Sequence, residues 1–281
     1  MDAALRLEYR HLSDLRPAFL TTELVQALAW EVRVQVGCGD DRRLQIPLDS
    51  LLGISKGAIN GLSLKFRWDI VEDVHDRDGV PVLGVCDYDH EWMPGTILLL
   101  ANSKMINGST PLLRSVLAHE LGHGVCDGPG WIVAHRNQML PGLLEATPQQ
   151  AYAVTPDRAH LLPRRPTPED FSEFRANEFM GAFLVPKRLL VEPLRHHARR
   201  LDIPLIEQSP PPALPLAAST TEFRLYTRHA EPSRLRLPWL FRALAQEFGV
   251  TPRFIQVRLM RYGLLDDERP RGTRNQQPRY L

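Results

Sequence analysis

The chain has 281 residues, 43% of them hydrophobic and 24% charged, enough for one large core with a smaller unit beside it. A net charge of +1 and the lack of any apolar run near the ~20 residues of a membrane span argue against a membrane protein. Cys38, Cys86 and Cys126 are odd in number and widely spaced, which excludes a disulfide framework or an all-cysteine zinc site and leaves three reduced thiols. The opening "MDAALRLEYRHLSDLR" has acidic residues and no apolar core of a secretory signal, so a cytoplasmic location is expected. At Thr21–Thr22 a capping threonine precedes "ELVQALAWEVRVQV", and a short helix is expected in "PLDSLLGI", residues 47–54. Three strand candidates follow: "LSLKFRWDIVEDV" and "VPVLGVCDYD", flanking the turn-like "HDRDG" at 75–79, and "GTILLLA" at 95–101. They suggest a small, mostly antiparallel sheet.

The next helix carries the chemistry. Ser109 or Thr110 can cap it, Pro111 suits its first position, and Leu112, Leu113, Val116 and Leu117 give it an apolar face. It leads into "HELGH", where His119 and His123 lie one turn apart and point to one side, a spacing suited to one tetrahedral cation. Glu120 is placed to take a proton from water rather than to ligate. Such a pattern, with three fixed positions, also arises by chance, but two histidines and a glutamate in an apolar helix are costly to bury without a partner. A third ligand is therefore expected.

Cys126 and Pro129 stand where the metzincin continuation needs glycine and histidine. Cys126 and Asp127 are near in sequence, but Gly124 to Gly130 reads as a helix break, and Cys126 as a buried thiol. From about 124 to 166 the chain, rich in Pro and Gln, suggests an irregular insertion. The remaining source is "TPEDFSEFRANEFMGAFLVP", residues 167–186, with Thr167 as cap, Pro168 at the first position and Asp170 closing an acidic capping box. On it Glu173, Asn177 and Gly181 share a face, with the glycine allowing a close helix crossing; the alternative is that Glu173 and Glu178 are solvated surface charges.

"HELGH" followed by "EFRANEFMGAFLVP" resembles the ImmA/IrrE family of bacterial metallopeptidases, whose second motif runs E-x-x-A-N-x-F-A-A-x-L-L-x-P. "VLGVCDYD" with "GTILLLANSK" is similar to that family's strand pair and "IPLDSLLGI" to its early helix, so the likeness spans roughly residues 40–190. Met180-Gly181 departs from the usual alanine pair, and 49 residues lie between His123 and Glu173, more than is typical. The resemblance implies that His119, His123 and Glu173 bind Zn2+, with Mn2+ as the alternative ion, and that Glu120 is the catalytic base. Asn177 would support the ligands and Glu178 would not coordinate. It also implies a gluzincin-like fold and a protein substrate, a helix-turn-helix transcriptional repressor whose cleavage derepresses stress-response or mobile-element genes. A strand such as "TILLLA", lying at an edge beside the metal, could align such a substrate. For stabilising an oxyanion, Tyr88, His90, His135, Tyr152 and His160 are all candidates.

Downstream, the Pro-rich "SPPPALPLAAS" marks a stiff linker over 206–220. Residues 221–281 carry 12 Arg against six acidic residues, a balance that a solvated basic surface explains as well as an anionic partner does. "WLFRALAQEFGVTPRFIQVRLMRYGLL" suggests helix, turn at Gly249-Val250, Thr251 cap and second helix, with Phe254, Ile255 and Leu259 inward. This gives a helix-turn-helix-like module at 221–265 and a disordered tail at 266–281. Arg253, Arg258 and Arg261, on or near the second helix, allow a DNA-reading role, but the family resemblance favours packing or substrate docking for such a module. The expected fold class is α+β: a zincin-like metallopeptidase domain over residues 1–205, then a small α module. The rival function is a non-catalytic regulator that binds a repressor or DNA around a structural zinc, a site with no use for Glu120.

Overall fold

A computed structural model describes residues 3–40, 43–76, 78–89, 93–138, 152–153, 166–208, 222–227 and 232–267. Two compact units result, Met1–Pro186 and Lys187–Leu281.

The first unit opens with β1 (Ala3–Leu7) and α1 (Thr22–Gln35), the latter capped by Thr21, whose side chain accepts from the Leu24 amide. Helix α2 (Leu48–Leu52) precedes β2 (Ile54–Ile59) and β3 (Leu62–Val71), which form a hairpin across Asn60-Gly61. Both turn residues have positive φ, 51° and 76°, the backbone that a two-residue turn needs to match strand twist. Strands β4 (Gly84–Asp89) and β5 (Thr96–Asn102), the short α3 (Ser103–Ile106), α4 (Thr110–Cys126), α5 (Gly128–Gln138), β6 (Tyr152–Ala153) and α6 (Pro168–Leu184) complete the unit.

Six strands form one sheet in the order β1-β2-β3-β5-β4-β6. The β2–β3, β4–β5 and β4–β6 pairings are antiparallel, β1–β2 and β3–β5 parallel, so the sheet is more mixed than the sequence suggests. The expectation that "TILLLA" is an edge strand is overturned: β5 pairs with β3 through Phe66↔Ile97 and with β4 through Cys86↔Leu99. Its unbroken apolar run is that of an interior strand covered on both faces. On the far side of β4, among the described residues, lies only β6, matched at Val85↔Ala153 and Cys86↔Tyr152.

Helix α4 is buried from Arg114 to Cys126 because it is sandwiched, one side on the sheet and the other on α6. Gly124 lets it press on the sheet, since a Cβ there would meet Phe66 at 3.1 Å and Ile97 at 3.2 Å. The helix therefore runs through Gly124 to Cys126 instead of breaking, and Asp127 caps it. After it comes a helix, α5, where an irregular segment is expected; Pro129 falls in its first turn, where no intrahelical amide is needed. Residues 139–151 and 154–165 of the expected insertion lie outside the described ones. The capping box of α6 is present: Thr167 accepts from the Asp170 amide and Asp170 from the Thr167 amide. Arg33, buried in α1, donates to the carbonyls of Cys38, Arg43, Leu44, Phe183 and Leu184, tying α1 to the end of α6; burial lowers its pKa to about 10.

The second unit contains α7 (Lys187–Arg200), β7 (Leu205–Gln208), β8 (Glu222–Thr227), α8 (Pro232–Phe248), α9 (Pro252–Arg261) and β9 (Leu265–Asp267). The strands form a β7-β8-β9 sheet, so this unit is not purely helical as expected. Strand β7 runs from Leu205 into the expected linker; residues 209–221, with the rest of that linker, and 268–281 of the expected tail lie outside the described ones. Helices α8 and α9 turn at Gly249, with φ of 64°, and Thr251 caps α9 through the Phe254 amide. Ile255 and Leu259 point inward with Leu240, Leu244 and Phe248. Arg258 is buried too, 4.3 Å above the Tyr262 ring, which takes it off any DNA-facing surface. No described helix is long and apolar enough to cross a membrane.

Candidate metal centre

Helices α4 and α6 meet where neither has bulk. A Cβ on Gly122, the glycine of "HELGH", would sit 3.0 Å from Ala176 Cα and 3.2 Å from its carbonyl oxygen. A close crossing is thus made at Gly122, on α4. It brings Glu173 of α6 against the two histidines of α4.

His119, His123 and Glu173 form a group that could hold a metal ion. The two Nε2 atoms are 3.0 Å apart, His123 Nε2 is 3.3 Å from Glu173 Oε1, and His119 Nε2 is 3.6 Å from Glu173 Oε2. A tetrahedral ion with bonds of about 2.0–2.1 Å separates its ligand atoms by about 3.3 Å, so the three donors already stand at coordination spacing. Both imidazoles are buried, while Glu173 is about one-third exposed on its side chain, which leaves one side of the cluster open. The donor set, two imidazoles and one carboxylate, suits a borderline divalent ion.

The outer nitrogen of His123 is held firmly. Its Nδ1 lies 3.1 Å from Ser172 Oγ, Ser172 donates to Asp127 Oδ2 at 2.6 Å, and Arg175 closes on Asp127 Oδ1. Arg175, His123 and Ser172 together hold the Asp127 carboxyl below its ordinary pKa against the opposing effect of burial. An ionised Asp127 can only accept, so Ser172 must donate to it and in turn accept from Nδ1–H of His123. In neutral His123 that leaves Nε2 as the lone-pair atom, facing the cluster. Burial opposes a charge on His123, yet the nearby carboxylates of Asp127 and Glu173 raise its pKa to about 10. Burial and the neighbouring His123 lower that of His119 to about 3. Asn177, one turn beyond Glu173, interacts with His119, whose Nδ1 nonetheless lacks a hydrogen bond of ordinary geometry among the described residues.

Glu120 points elsewhere, toward β4. A Cβ on Gly84 would come within 2.6 Å of its Oε1, so glycine at the head of β4 makes the room that this carboxyl occupies. Neither oxygen of Glu120 has a hydrogen-bond partner among the described residues. Burial, reinforced by Glu173 and partly countered by His123, pushes its pKa well above the ordinary carboxyl value. An unsatisfied buried carboxyl costs roughly 1–3 kcal/mol or more, so Glu120 weakens the fold where it stands.

Glu178, which the sequence leaves open as a solvated charge, is buried and accepts from Gln26 Nε2 at 3.2 Å. Cys126 is a buried free thiol, as are Cys38 and Cys86. Of the oxyanion candidates, Tyr88 and His135 pack edge to face on each other, 5.7 Å between centroids. His90, His160 and the side chain of Tyr152 lie outside the described residues. Sequence reading misses Ser172, Arg175 and Gly84, and weighs Asp127 only as a ligand, because the contacts that define them lie more than thirty positions apart in the chain. No protein-family model, no curated protein and no solved structure matches the chain.

Proposed function

We propose that the chain is a zinc-dependent endopeptidase of the zincin kind, similar to the ImmA/IrrE metallopeptidases, acting on a specific protein substrate. The observation that carries this reading is the pairing of two features in one place: three donors at coordination spacing, and next to them a buried carboxyl, Glu120, with no partner of its own. His119, His123 and Glu173 would hold the ion, with manganese as the alternative to zinc. When bound, such an ion acts as a Lewis acid that polarises a peptide carbonyl and lowers the pKa of water. Glu120 takes the proton of the attacking water and returns it to the leaving amine nitrogen as the peptide bond breaks, one proton in and one out. Its upward-shifted pKa is in the direction needed by a carboxyl that must do both.

The strand suited to align a substrate is β4, not β5. Gly84 of β4 touches Glu120, and residues 87–89 of β4 pair with β5 on one side and with no described strand on the other. An extended segment added there would pair by its backbone and place one peptide bond beside the cluster. The resemblance points to a helix-turn-helix repressor as that substrate, cut in the cytoplasm to derepress its genes, and to α8–α9 as a helix-turn-helix-like docking element; this favours protein over DNA as its partner.

The test is Glu120→Gln, which keeps the volume and the imidazoles and removes the base. Cleavage of the cognate repressor in a gel time course should fall by about 10²–10⁴-fold or more, with zinc content unchanged. Undiminished cleavage would overturn Glu120 as the base, and undiminished derepression in cells without cleavage would show that the protein works by holding its partner.

A further inference from the structure

We infer that Asp127, Ser172 and Arg175 form a positioning relay that fixes the metal-binding tautomer of His123 and the seating of Glu173, an inference that rests on the metal reading above. None of the three is a fixed position of the "HELGH" or E-x-x-A-N patterns, Arg175 standing at a variable position of the second. Asp127 is the residue that caps α4, its amide bonded to the carbonyl of His123 at 2.7 Å, so its carboxylate is anchored to the same turn that carries the ligand. Ser172 and Arg175 flank Glu173 on α6, one position before it and two after. The chain of contacts runs His123 Nδ1 to Ser172 Oγ, Ser172 Oγ to Asp127 Oδ2, and Asp127 Oδ1 to Arg175.

Two consequences follow from the donor count. Because a carboxylate only accepts, the single hydroxyl proton of Ser172 is committed to Asp127, and the Ser172 oxygen can only receive the proton on His123 Nδ1. The ring is thus held in the tautomer whose Nε2 presents a lone pair to the cluster. Ser172 and Arg175 both bind a group fixed to α4, which also sets the rotation of α6 about its axis and aims Glu173, between them, at the two imidazoles. Asp127 and Ser172 are almost wholly buried and the Arg175 side chain is 13% exposed, so water competes little for these bonds. Ser172 and Asp127 touch the ligand His123, Arg175 acts on it through Asp127, and none of the three reaches the side of the cluster left open. They are positioning residues.

The test measures zinc affinity of the full-length, metal-stripped chain by competition with a chromophoric chelator, for the native protein, Asp127→Asn, Ser172→Ala, Arg175→Met and the Asp127→Asn/Arg175→Met pair. Asp127→Asn should weaken zinc by about 10- to 100-fold, with Ser172→Ala following in the same direction. The double variant should bind little worse than Asp127→Asn alone, since both changes cut one chain. Visible absorption of the cobalt(II)-loaded Asp127→Asn protein should shift, which a residue serving only to stabilise the fold would not cause. If Asp127→Asn fails to fold, Ser172→Ala, which deletes one hydroxyl, decides the matter by the same two readouts. Native-like zinc affinity and cobalt spectrum in the folded variants would overturn the relay while leaving the metal site standing. A native chain that binds no zinc would instead overturn the metal reading and the relay with it.

Discussion

The helix pairs α4–α6 and α8–α9 are built by similar local rules and spend their interiors differently. Each second helix opens with a threonine cap and a proline: Thr167-Pro168 on α6 and Thr251-Pro252 on α9. Between α8 and α9 the buried side chains include Leu240, Leu244, Phe248, Ile255 and Leu259, and the buried Arg258 rests on the Tyr262 ring. At the α4–α6 crossing lie His119, His123, Ser172 and Asp127, with Glu120 turned toward β4, and several of their polar atoms face one another or have no hydrogen-bond partner among the described residues. Apolar burial stabilises by roughly 1.5–3 kcal/mol per large side chain, whereas unsatisfied polar burial costs a comparable amount. The α8–α9 pair is thus scaffold, and the α4–α6 pair is a place where stability is given up to keep polar groups buried.

That contrast can be broken in several ways. The largest effect expected is on the scaffold side: Leu244→Ala leaves a cavity and should destabilise the second unit by about 2–5 kcal/mol in urea unfolding, with zinc still bound at the cluster. Loss of zinc in that variant would show the two regions to be energetically one.

On the other side the sign reverses. Glu120 has a folded pKa above its ordinary 4.5, so the metal-free native protein is helped by its protonated form below that value and loses stability as pH rises from there through the folded pKa. Glu120→Gln removes this dependence. The metal-free variant should match the native protein near pH 4.5 and become more stable than it by about 1–3 kcal/mol at higher pH, measured by thermal melting across pH. A native protein whose stability relative to Glu120→Gln is flat with pH would mean that Glu120 has a partner after all.

Smallest and equal on both sides should be the caps: Thr167→Ala and Thr251→Ala each cost about 1 kcal/mol, because a lost cap bond does not depend on what the helix is for.

Much of this was legible locally. Ser109 with Pro111, Thr167 with Asp170, and the histidine spacing of "HELGH" are short-range signals, and the caps and the helices they open are where those residues place them. The Asn60-Gly61 turn was a local signal that went unread. What could not be read is what distant chain brings near. Gly124 looks like a breaker until Phe66 and Ile97 are seen against it, and the interior position of β5 comes from pairing with β3, some thirty residues earlier. Asp127 was set aside as a ligand because the helix seemed to end too soon, and its partners Ser172 and Arg175 are 45 and 48 positions away.

The most direct test of the account is a zinc titration of the metal-stripped native chain beside Glu173→Ala. The account predicts one tightly held equivalent in the native protein, and in the variant an affinity reduced by more than the about 10- to 100-fold typical of losing an outer partner. Affinity should also fall about tenfold per pH unit on acidification below the raised pKa of His123, since a proton on Nε2 competes with the ion. Glu173→Ala binding zinc as tightly as native, or a native chain that takes up none, would contradict it.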